Sequence, residues 1–131
     1  VIEMVARYSL SLTHGSVLAT GMLVLWLSAV ASAFVDNIPF VATMIPLLQS
    51  LGQITHLPSA EMQSLWWALS LGACLGGNGT VIGASANVIV AGIAERHDHP
   101  ISFIRYFKTG FPLMLVSIVI ATIYLYLFYW R

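Results

Sequence analysis

Residues 109–130 read TGFPLMLVSIVIATIYLYLFYW, a run without a charged side chain. Roughly 20 such residues cross a hydrocarbon core at about 1.5 Å per residue, so the run predicts a transmembrane helix. Its far end, Tyr124, Tyr126, Phe128, Tyr129 and Trp130, has the composition of the aromatic belt at which a helix leaves the lipid, and Arg131 follows among the headgroups. The rest of the composition agrees: 59% of the chain is hydrophobic and 8% charged, whereas soluble domains carry about 25% charged residues. A soluble fold with so few charges has too little polar surface to cover itself, and the bilayer becomes the expected partner. Charges of both signs cancel to a formal net charge of zero, which supplies no basic face for nucleic acid.

Outward from that helix, residues 17–35 form a second uncharged run, and residues 62–94 form a third, interrupted by glycines. Residues 1–14 read as an amphipathic helix, with Val1, Met4, Val5, Tyr8 and Leu12 on one side and Glu3 and Arg7 off it. The chain starts at Val1 without a charged leader, an apolar stretch and a cleavage site, so the expectation is a fragment with further chain upstream. Cys74 is the single cysteine, which excludes an internal disulfide framework, and it reads as a small apolar helix residue.

Two interruptions give the runs their shape. At Asp36-Asn37-Ile38-Pro39 the apolar sequence breaks and resumes, with Asp36 or Asn37 suited to cap a new helix and Pro39 tolerated in its first turn. The resumed segment, 38–51, is short for a crossing and ends in Gln49, Ser50 and Gly52. It predicts a re-entrant hairpin over 17–52 with its tip at 36–39, both flanks on one side, and a connecting loop over 53–63. In the third run Gly72, Gly76, Gly77, Gly79 and Gly83 precede Ser85, Ala86 and Asn87. Each glycine costs about 1 kcal/mol of helix propensity relative to Ala, which predicts a transmembrane helix over 62–96 broken at mid-depth. Packing alone also explains Gly72 with Gly76 and Gly79 with Gly83, since small residues four apart let membrane helices approach. A C-terminal transmembrane helix over 103–130 completes an all-α membrane domain, 1–131.

An Asp in lipid costs about 2.5–3.5 kcal/mol, so Asp36 is the first candidate functional residue. Breaks at mid-depth expose backbone groups that must be buried in protein or line a cavity, where they can bind ions. Each break carries small oxygen-bearing side chains: Asp36 and Asn37 at the first, and Asn78, Thr80, Ser85 and Asn87 at the second. These six are expected to converge, as neither break can leave its polar groups facing lipid. Helix capping alone is the plainer role for Asn37, Ser85 and Asn87. Asn78-Gly79-Thr80 fits a glycosylation acceptor but sits inside an apolar run, and His97-Asp98-His99 reads as a charged loop rather than a metal site. His14 and His56 read as interfacial.

Three segments carry a resemblance: Ser32-Ala33-Phe34-Val35-Asp36-Asn37-Ile38-Pro39-Phe40, Gly76-Gly77-Asn78-Gly79-Thr80-Val81-Ile82-Gly83-Ala84-Ser85-Ala86-Asn87, and Phe103-Ile104-Arg105-Tyr106-Phe107-Lys108-Thr109-Gly110-Phe111-Pro112. In order and spacing they resemble the C-terminal repeat of the arsenite permease and sodium/proton antiporter branch of the ion transporter superfamily, which is P protein-like and citrate transporter-like. The resemblance implies half of an inverted-repeat transporter, a homodimer in which a hairpin and a broken helix from each repeat meet at a midplane site. The N-terminal repeat would be the missing partner. It also implies a sodium site at Asp36, Asn37, Asn78 and Asn87. Dicarboxylate symporters carry Ser-Asn-Thr at the hairpin tip, and Asp36-Asn37-Ile38-Pro39 departs from that.

The expected function is secondary active transport by alternating access: a small anion moved with sodium or protons, or sodium exchanged for protons. No covalent step and no cofactor beyond the coupling ion are expected. The expected location is a bacterial inner membrane, as a multi-pass protein. A membrane-embedded enzyme using Asp36 and a structural membrane subunit are the alternatives; against the first, no His lies in an apolar span. The basic residues Arg96, Arg105 and Lys108 place residues 95–108 in the cytoplasm and the hairpin mouth outside.

Overall fold

A computed structural model describes residues 16–131; the amphipathic helix expected over 1–14 lies outside the described residues. Among the described residues the helices are α1 (Val17–Ser32), α2 (Asn37–Thr55), α3 (Ser59–Gly76), α4 (Ser85–Arg96) and α5 (Phe103–Tyr129). Two one-turn 3-10 segments, Gly77–Gly79 and Val81–Gly83, interrupt the passage from α3 to α4, and no strand occurs among the described residues. The fold is that of an all-α membrane protein.

Helix α5 shows why. Met114, Ile118, Ala121 and Leu125 recur every three or four residues and are buried, while Leu113, Val116, Ile120, Ile123 and Leu127 form an exposed apolar stripe on another face. Water would not tolerate that stripe and lipid does. Both α2 and α5 are long and apolar enough to cross a membrane.

Helix α1 lies mainly against α3, and two glycines permit the approach. A Cβ on Gly72 would stand 2.5 Å from the Leu25 carbonyl oxygen, and one on Gly76 would overlap the backbone of Ala29. The core gathers Val24, Leu25, Ala29 and Ala33 of the first arm, Met44 and Leu48 of α2, Ala68 and Leu69 of α3, and the inward face of α5. Val17 packs with Ile54 and Leu57 around Leu51 and Leu65, so the start of α1, the end of α2 and the start of α3 share one end of the molecule.

Three expectations need correction. The segment expected to be short, 38–51, lies within a helix of 19 residues. Its polar end stays helical because Leu48 and Leu51 are buried, and His56 closes it in the left-handed region at φ 50°. The connecting loop expected over 53–63 shrinks accordingly to the few residues between Thr55 and Ser59. Trp130 does not stand in an outward belt. Its ring lies on Gly21, and its Nε1 donates to Ser64 Oγ at 3.0 Å, pinning the end of α5 to α1 and α3.

Candidate functional site

The two breaks meet. Ser85 Oγ, at the start of α4, donates to Asp36 Oδ2 at the turn between α1 and α2. The other oxygen of Asp36 accepts from the backbone N–H of Ile38 at 3.3 Å, capping α2. Thr80 Oγ1, buried between the two 3-10 segments, donates to the Ala33 carbonyl and accepts from Gly83 N at 3.0 Å. Asn87 reaches back from α4 and donates to the carbonyls of Gly77 at 2.9 Å and Thr80 at 3.1 Å. The amide of Asn37 lies on Gly77, whose added Cβ would sit 2.9 Å from Asn37 Oδ1. Five of the six candidate residues thus gather where the two breaks meet, held by three sets of hydrogen bonds. Asn78 sits on the same turn with its side chain exposed, and its carbonyl faces Gly110 of α5; it makes no hydrogen bond to the other five.

Ser32 belongs to the network although the sequence did not single it out. Its hydroxyl lies between Asn37 Oδ1 and the Ala73 carbonyl, the latter at 2.7 Å. The available signal was its place one turn before Asp36, on the face that α1 turns toward the glycines of α3.

The glycines let backbone carbonyls crowd together. A Cβ on Gly83 would lie 2.7 Å from the Gly77 carbonyl oxygen, 2.8 Å from that of Ala33 and 2.9 Å from that of Ser32. Those carbonyls stand at the ends of α1 and α3, where the helix partial charge is negative, and two of them, Ala33 and Gly77, accept from Thr80 and Asn87. The opposite ends face them: α2 begins at Asn37 and α4 at Ser85, and Ala84 gives α4 no side-chain cap. Carbonyl ends attract a cation and N–H ends attract an anion. The side-chain oxygens of Asp36, Asn37 and Thr80 and the nearby carbonyls are donors of the hard type. No group of three or more His, Cys, Asp or Glu side chains gathers among the described residues, so a transition-metal centre finds no donor set here.

A family profile described as citrate transporter matches residues 1–72. The P protein of Sus scrofa is 54% identical over 104 residues, covering 79% of the chain and 12% of that protein. The P protein of Mus musculus is 55% identical over the same length. A protein of Mycobacterium tuberculosis, strain H37Rv, described as an uncharacterized transporter, is 48% identical over 130 residues, covering 98% of the chain and 30% of that protein. The chain therefore spans well under a third of the length of the P proteins and about that share of the mycobacterial one. No solved structure matches it. The family and the mycobacterial relative carry the names of transporters and not of enzymes, which removes the membrane-enzyme alternative. With more than half its length matched by the profile and its apolar faces fit for lipid, the chain is an integral membrane protein and belongs to the citrate transporter family.

Proposed function

We propose that this chain supplies one half of the binding site of a secondary carrier that moves a small organic anion together with a cation. The observation carrying this reading is the Asp36–Ser85 hydrogen bond, which ties the turn between α1 and α2 to the break between α3 and α4. Around that bond the carbonyl ends of α1 and α3 offer a cation site, and the N-terminal ends of α2 and α4 offer an anion site. A carrier needs both in one place so that each ligand favours the binding of the other. The citrate named for the family makes a small polycarboxylate the cargo to try first.

In this reading α1 and α2 re-enter from one face, and residues 95–108, with Arg96, Arg105 and Lys108, lie in the cytoplasm. The broken helix then runs from outside to inside beside α5. The remaining half of the site comes from chain outside this sequence, and the carrier is a homodimer in a bacterial plasma membrane.

Proteoliposomes holding the full-length protein test the reading, with citrate counterflow measured under sodium and proton gradients imposed separately. Citrate exchange accelerated by one gradient is expected. Exchange indifferent to both overturns the coupling. Sodium–proton exchange without citrate movement is the second reading. It draws on Asp36 itself, since a carboxylate at the tip can hold sodium or a proton.

A further inference from the structure

Beyond the Asp36–Ser85 network the molecule has a separate concavity of about 750 Å³, bounded by the last turn of α4, the loop to α5 and the first turns of α5. That is within the roughly 300–1,000 Å³ typical of small-ligand pockets. Its polar lining is Asp98, His99, Arg105, Tyr106 and Thr109. Gly110 forms part of its wall and connects it to the break. A Cβ at Gly110 would meet the Tyr106 ring at 2.8 Å and the Asn78 carbonyl oxygen at 2.9 Å. The Tyr106 ring and the Asn78 carbonyl oxygen thus meet at one face of Gly110.

Arg105 sets the ligand class. Its guanidinium is permanently charged and forms no ion pair among the described residues, although Asp98 lines the same space. An unpaired guanidinium presents a planar fork of donors matched to a carboxylate, and it repels sodium. The Tyr106 and Thr109 hydroxyls and the His99 ring add further hydrogen-bonding groups around it. Asp98 opposes a second carboxylate close to itself and accepts from a ligand hydroxyl.

We infer that this concavity is a waiting site for a small hydroxylated carboxylate, one step short of the Asp36–Ser85 site, with Arg105 binding the carboxylate and Tyr106 standing between the two sites. The inference rests on the anion-carrier reading above.

The test uses the full-length protein in proteoliposomes, with Cys74 and every cysteine outside this sequence replaced by Ala as background, Thr109→Cys as reporter, a membrane-impermeant maleimide, and citrate as probe. Citrate is expected to slow labelling at position 109. Arg105→Gln should raise the citrate concentration for half-protection about tenfold, and Arg105→Lys should recover part of that loss. Citrate counterflow with labelling unaffected by citrate overturns the waiting site while leaving the carrier reading intact. So does a half-protection concentration that Arg105→Gln leaves unchanged. Protection without counterflow keeps the site and overturns the carrier reading. Neither protection nor counterflow overturns both.

Discussion

Gly76→Ala tests the contact on which the geometry of the site depends. A Cβ at Gly76 would lie 2.6 Å from Ala29 Cα and 2.8 Å from its carbonyl carbon, both backbone atoms that no rotamer change can move away. Reaching ordinary van der Waals distance requires α1 and α3 to separate by about 1 Å. Overpacking of this kind costs about 1–3 kcal/mol. The same separation stretches the Ser32 hydroxyl bond to the Ala73 carbonyl, now 2.7 Å, and interhelical hydrogen bonds in membrane proteins contribute roughly 0.6–1.7 kcal/mol. Replacing Gly by Ala returns about 1 kcal/mol of helix propensity. The net expectation is a loss of about 1–3 kcal/mol in unfolding titrations in detergent, with transport falling as the Ser32–Asn37 pair shifts. Gly92→Ala is the control: α4 leaves nothing within 4 Å of that Cβ. The control should gain up to about 1 kcal/mol from propensity alone. Equal shifts for the two variants, or a Gly76→Ala protein as stable as the parent, would refute the close-contact argument.

Asp36→Asn should abolish cation-coupled transport while the protein remains inserted and folded; unimpaired, cation-dependent uptake by the variant removes the coupling role. Asn87→Ala removes the side-chain donor to the Gly77 and Thr80 carbonyls, although Thr80 keeps the Gly83 N–H at 3.3 Å, and should cost about 1–2 kcal/mol in the same unfolding titration. Asn87→Asp should fare no better, as an ionised carboxylate cannot donate. A thiol introduced by Ser102→Cys should be labelled by an impermeant reagent only from the cytoplasmic side, and labelling from outside intact cells reverses the orientation.

Much of this was legible because lipid simplifies the physics. The 109–130 run announced α5, and the glycines announced a break expected over 76–87; α3 ends at Gly76 and α4 starts at Ser85. Convergence of Asp36 with Ser85, and of Asn37 with Gly77, followed from the rule that broken backbone must find polar company. What sequence could not show was three-dimensional cover. The end of α2 looked too polar for helix, yet Leu48 and Leu51 bury one side of it. Trp130 looked interfacial, yet the bare surface of Gly21 and the Ser64 hydroxyl draw it inward. Ser32 looked like any small helix residue until α3 brought the Ala73 carbonyl within reach of its hydroxyl.

The arrangement of helix ends also explains why a broken helix serves here better than a continuous one. A continuous helix satisfies its own backbone and offers an ion nothing. At this site the carbonyls of Ser32, Ala33 and Gly77 crowd one face of Gly83, while α2 and α4 start beside them. Side chains hold these ends in place through a few bonds: Thr80 to Ala33, Asn87 to Gly77 and Thr80, and Ser85 to Asp36. Each interhelical bond of this kind is worth only about 1 kcal/mol, so exchanging one for a contact with a bound ion changes the energy little. In the proposed carrier a cation bound by Asp36 would compete with the Ser85 hydroxyl for its carboxylate. Loading the site would then loosen the link between the α1–α2 turn and α4, and unloading would restore it. In the proposed carrier, that exchange of partners at Asp36 is the step at which ion occupancy can bias movement of the hairpin against the broken helix.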